Sequence, residues 1–210
     1  MVTIEEITLS YGPHNNPEDG MCLLEAASYL SNEPFSYRPK CVSPVVAAFG
    51  IRINDKISDN ETRDKWLKPL LPVLLNTVGS TALEQRRMFR CVDWAVREIA
   101  PFILGVVGRN DHAKTLRELS PIVDISTADT AHGATTAAAA AAHRVAIYAA
   151  ANAAYAAANY TATDAANYTA ATAAAADAAV SSYAASDDKK DIIYQMIVDF
   201  IKELCEMKDV

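Results

Sequence analysis

About half of the residues from Thr127 to Ser186 are alanine, and this stretch constrains the fold more than any other. Alanine loses no side-chain entropy on entering a helix and has the best intrinsic helix propensity. The stretch holds no proline, and its single glycine, Gly133, lies near its start. It predicts helix. As one rod, however, it would be about 90 Å long at about 1.5 Å per residue, too long for a compact domain. A break is therefore expected at 159–164, where Asn159 can end one helix and Thr163 or Asp164 can cap the next. Asn167-Tyr168-Thr169 is a second candidate break. The expected product is an antiparallel alanine hairpin, whose small side chains let helix axes approach closely.

The larger residues give that hairpin its faces. Tyr148, Asn152, Tyr155 and Asn159 recur at four, three and four and share one stripe. The plain reading is that the tyrosines fill gaps between alanines, with their hydroxyls at the rim. The sharper one is a face for a ligand or partner, built from Tyr148, Asn152 and Tyr155. Disorder is disfavoured, because hydrophobic residues make up 51% of the chain.

The rest of the chain reads as helices too. Val2 to Leu9 has the apolar content of a short strand but no evident partner. A helix is expected from Asp19 to before Asn32. Ser43-Pro44 starts another, with serine at the cap and proline at the first turn. Glu61 to Leu75 points Trp66, Leu67, Leu70, Leu71 and Leu74 inward and is divided by Pro69 and Pro72. Thr81 and Glu84 form a capping-box pattern opening a helix to about Ile99, which Pro101 ends or kinks. A short polar helix follows from Asp111 to Leu119. The last helix, capped by Asp187 or Asp188, repeats Ile193, Ile197, Phe200, Leu204 and Met207 at four, three, four and three, a packing seam. The expected class is all-α: a single helical domain over 1–210. It comprises a mixed helical part (1–125), the alanine-rich hairpin (126–187) and a carboxy-terminal amphipathic packing helix (188–208).

At 210 residues the chain is long enough for a sizeable core. A net charge of −7 argues against general nucleic-acid binding, which needs a basic surface. No apolar segment follows Met1 and no stretch resembles a spanning helix, so a cytoplasmic protein without a membrane role is expected. Cys22, Cys41, Cys91 and Cys205 are widely spaced and read as reduced, mostly buried thiols. With His14, His112, His132 and His143 they form no recognisable ligand spacing, and neither a metal nor a cofactor is implied.

Arg86, Arg90, Asp93 and Arg97 form the one charged stripe, at i, i+4, i+7 and i+11. Three guanidiniums around one carboxylate leave positive charge for an anion such as a phosphate or a partner's acidic side chains. The plainer alternative has Asp93 pairing with Arg90 and Arg97 on a solvated surface, helped by Glu84 and Glu98. Serine nucleophile elbows, glycine-rich phosphate loops and paired catalytic carboxylates are absent from the sequence pattern.

The segment Met21-Cys-Leu-Leu-Glu-Ala-Ala-Ser-Tyr-Leu30, with Pro39-Lys-Cys-Val-Ser-Pro-Val-Val-Ala-Ala-Phe49, resembles a family of uncharacterised helical proteins of actinobacteria and their phages. The resemblance continues through Leu67-Lys-Pro-Leu-Leu-Pro72, Glu84-Gln-Arg-Arg87 and Asp93-Trp94 into the alanine tract, where tyrosine stands at positions at which the family often has tryptophan. Related alanine-rich sequences are similar to toxin-immunity domains. The resemblance implies a shared fold and a mobile-element setting, and it brings no catalytic residues.

The expected function is a non-enzymatic binding protein that recognises a host or cognate protein or sequesters a small anionic ligand. A phage-encoded anti-defence inhibitor or an immunity protein fits this description. The alternatives are an enzyme holding a phosphorylated ligand on the arginine stripe, and a structural protein that forms homo-oligomers through the last helix or the alanine hairpin.

Overall fold

The computed structural model describes residues 3–142 and 187–209, and among these every regular element is helical. The all-α expectation holds. Tyr148, Asn152, Tyr155 and the proposed breaks at 159–164 and 167–169 lie outside the described residues. The first part of the alanine stretch is described, and it is helical from Ile125 to Ala142.

The chain divides into two units, Met1–Glu84 with Tyr194–Val210, and Gln85–Ile193. These cut across the sequence divisions at 125 and 187. From Ile197 onward the seam of the last helix belongs to the first unit, where Phe200 packs on Phe49.

In the first unit Ile4–Glu6 form a short 3₁₀ turn, and Leu9 makes a single bridge to Met21. Helix α1 spans Leu23–Leu30 and not Asp19 onward. Gly20 has φ +125°, a conformation L side chains rarely adopt, and it separates the 3₁₀ turn Pro17–Asp19 from α1. Asn32, at φ 57°, turns the chain away after α1.

Helix α2 (Pro44–Lys56) starts where Ser43-Pro44 predicted, with the Ser43 hydroxyl accepting from the Val46 N–H at 3.3 Å. Gly50 lets α1 approach: a Cβ there would lie 3.3 Å from both Leu23 Cδ2 and Leu24 Cδ2. Pro69 and Pro72 divide the next segment as expected, into α3 (Asn60–Leu67), a 3₁₀ turn (Lys68–Leu70) and α4 (Leu71–Leu74). Leu67, Leu70, Leu71 and Leu74 are fully buried. Each contributes roughly 1.5–3 kcal/mol relative to an exposed position. Trp66 is only half-buried and stacks on Tyr194 with ring centroids 5.7 Å apart. Arg63 is wholly buried, donating from Nε to the Asn54 carbonyl at 3.0 Å and from its Nη atoms to the Ile57 carbonyl and Asn60. It thereby neutralises the carbonyl-rich end of α2.

Helix α5 spans Thr81–Trp94. Its cap is Ser80, whose hydroxyl accepts from the Leu83 N–H at 3.2 Å, and not Thr81. Glu84 instead takes the Gly79 N–H and the Ser43 hydroxyl. The helix runs on past Ile99. A π-helical turn, Ala95–Ile99, joins it to α6 (Ala100–Val106). The Ala100 N–H reaches back five residues to the Ala95 carbonyl, which widens the turn where Pro101 offers no donor.

The second unit is completed by α7 (Asn110–Arg117), which packs on α6, and by α8 (Ile125–Ala142). The last helix, α9, spans Asp187–Glu206. Within the first unit its Phe200 meets Phe49 edge-on at 5.6 Å, and Ile197 and Leu204 are buried beside it in sequence as the seam predicted.

Candidate functional site

Two constellations carry chemistry, one in each unit. In the second unit the arginine stripe is engaged from within. Asp93 is only 7% exposed. Its carboxylate accepts from Arg90 Nη1 at 3.2 Å, from Arg97 Nη1 at 3.1 Å and from the Ile122 N–H at 2.9 Å. Arg90 also donates to Glu98 at 2.8 Å. Of the two sequence readings, the geometry follows the pairing one, with a difference. The carboxylate is buried, not solvated. Arg90 and Arg97 thus have less charge to offer an outside anion.

Arg86 lies one turn earlier on α5 and lines an open groove of about 440 Å³ with Phe89, Val123, Asp124, Ile125 and Ser126. The groove exists because Asp93 holds Ile122 to α5, which leaves the next four residues to run beside Arg86 and Phe89. Asp124 then starts α8, accepting from the Thr127 N–H at 2.8 Å. That bond holds the Asp124 carboxyl below its usual range. Phe89 is buried, whereas Val123 and Ile125 are 64% and 45% exposed.

The constellation in the first unit went unrecognised in the sequence. Gly12, at φ +74°, folds the loop after Ser10 so that His14 returns to it. His14 Nε2 lies 3.1 Å from Ser10 Oγ, and His14 Nδ1 lies 2.8 Å from Glu25 Oε2. Glu25 is fully buried in the first turn of α1 and also accepts the His14 and Cys22 N–H groups at 2.7 and 2.9 Å. Burial alone would raise its carboxyl, but these hydrogen bonds outweigh that and hold it below the usual carboxylate range. Cys22 is pushed the other way, up to about 12, by burial and by the neighbouring Glu25 charge. The only sequence signal was Ser10 and His14 four apart around Gly12-Pro13, and nothing local joins that pair to Glu25.

No cysteine forms a disulfide, and Cys22, Cys91 and Cys205 are buried. No group of three or more metal-ligating side chains gathers among the described residues, and no described helix is long and apolar enough to cross a membrane. Compared with family models, curated proteins and solved structures, the chain shows no match.

Proposed function

We propose that this chain is a binding protein that recognises a partner protein, and that an apolar segment of that partner docks in the groove between α5 and the start of α8. The carrying observation is the exposure of Val123 and Ile125 beside the buried Phe89. Aliphatic side chains gain roughly 25 cal/mol for each Å² removed from water, so a partner that covers them is favoured. The groove is open rather than enclosed, which suits a polypeptide better than a small ligand. Arg86 at its rim supplies a polar contact that can set orientation. The mobile-element setting implied by the resemblance would make the partner a host-defence protein or a cognate toxin.

The test is capture from host lysate by the full chain and by a Val123→Asp/Ile125→Asp variant. Loss of the captured protein by a variant that melts at the wild-type temperature supports the groove. Equal capture by both, or none by the wild type, removes it.

A further inference from the structure

The geometry points to a second, chemical role for the first unit: we propose that Ser10 is a nucleophile for carboxylic esters, with His14 as its general base and Glu25 as the residue that positions His14. The contact order is that of a serine–histidine–carboxylate relay, oxygen to Nε2 and Nδ1 to carboxylate. The inference is independent of the groove in the second unit.

Three features carry it. An ionised carboxylate can only accept, so Glu25 assigns the ring proton to Nδ1 and turns the Nε2 lone pair towards Ser10. Glu25 also holds the His14 main chain through its other oxygen, which fixes ring and backbone together. Second, Ser10 is held from both sides. Its N–H donates to the Met21 carbonyl at 2.8 Å and its carbonyl accepts from Asn54 Nδ2 at 3.0 Å. Its hydroxyl is therefore presented from a fixed backbone.

Third, glycine at position 20 leaves room for the pair to form. A Cβ at that position would lie 2.7 Å from Ser10 Oγ and 2.9 Å from His14 Nε2. The His14 side chain is 14% exposed. The Ser10 hydroxyl has a second acceptor within 3.2 Å, the Met21 carbonyl. When Nε2 carries a proton it donates to Oγ, and the hydroxyl proton turns to Met21. Both protonation states of the ring are thus accommodated without moving a heavy atom.

In the reaction, Ser10 Oγ bonds to the ester carbonyl carbon as its proton passes to His14 Nε2. The bond from that carbon to the alkoxy oxygen then breaks, and Nε2 returns the proton to the departing alcohol. Water bonds to the acyl carbon as its proton passes to Nε2, the bond from that carbon to Oγ breaks, and Nε2 returns the proton to Oγ, which releases the acid and restores Ser10. Esters are favoured over amides because the alcohol is the better leaving group.

The experiment treats the full chain with diisopropyl fluorophosphate, where Oγ–P forms, P–F breaks and the proton goes to Nε2. Intact mass and peptide mapping locate the adduct, and hydrolysis of p-nitrophenyl acetate is followed in parallel. The expected result is a single adduct on Ser10, absent from the denatured chain, with labelling and hydrolysis slowed on the order of 10²–10⁴-fold in His14→Gln. No adduct in the native wild type, an adduct elsewhere, or equal labelling of folded His14→Gln overturns the proposal. For Glu25 the readout is the ¹⁵N spectrum of neutral His14. The wild type shows Nδ1 protonated, and Glu25→Gln mixes the two tautomers. An unchanged spectrum removes the positioning role.

Discussion

The Asp93 carboxylate accepts the Ile122 N–H at 2.9 Å across twenty-nine positions of chain. The same oxygen accepts from Arg97 Nη1 at 3.1 Å. A residue whose spacing suggested a counter-ion is therefore a tie between α5 and the segment before α8. Asp93→Ala should lower stability by about 2–3 kcal/mol, since it leaves the buried Ile122 N–H and the Arg97 guanidinium without their acceptor. Denaturant unfolding measures this. A cost within about 0.5 kcal/mol, typical of surface substitutions, would contradict the tie.

Gly20→Ala should destabilise by roughly 1–3 kcal/mol, because φ +125° strains any L side chain. The new methyl also displaces the Ser10–His14 pair. Thermal unfolding, together with loss of the Ser10 hydroxyl contact in the His14 ¹⁵N spectrum, checks both effects. A variant as stable as the wild type would contradict the backbone argument.

Glu25 makes stability acid-sensitive. Its folded value lies below its ordinary 4.5. The unfolded chain therefore binds this proton first as pH falls, and stability from Glu25 is full above 4.5 and lost as pH drops through the folded value. Melting temperature plotted against pH should fall more steeply in this window for the wild type than for Glu25→Gln. Parallel curves would count against the ionised, hydrogen-bonded carboxylate.

Native alkylation should find Cys41 first. Cys41 is partly exposed, whereas Cys22 is buried with its thiol raised to about 12, so almost none of it is the reactive thiolate at neutral pH. Iodoacetamide labelling followed by peptide mapping gives the order. Early labelling of Cys22 would mean that the start of α1 opens readily.

Rules that act within one or two turns were legible in the chain. Ser43-Pro44 placed the start of α2, Pro69 and Pro72 divided the segment after α3, and the seam Ile193, Ile197, Phe200 and Leu204 is buried as its periodicity required. Near misses came from competing local partners. Ser80 caps α5 in place of Thr81 because Glu84 turns to Gly79 and Ser43. The helix survives Pro101 because a π turn absorbs the missing donor.

The arginine stripe was legible as a stripe but not as a site, since helical spacing does not reveal that Ile122 supplies a donor to Asp93. Arg63 gave no sign of burial, because its carbonyl partners at Asn54 and Ile57 are main-chain atoms that carry no sequence signal.

By itself, then, the amino-acid order determined the helical class and most of the helix boundaries, through propensity, capping and proline. Tertiary structure alone decided that Glu25 turns His14 towards Ser10, that Asp93 holds Ile122, and that Val123 and Ile125 stand exposed beside Phe89. The physical reason is range. Helix formation is set by neighbours three and four residues apart, whereas a site needs directed hydrogen bonds between groups that only the folded chain brings within 3 Å or so of each other.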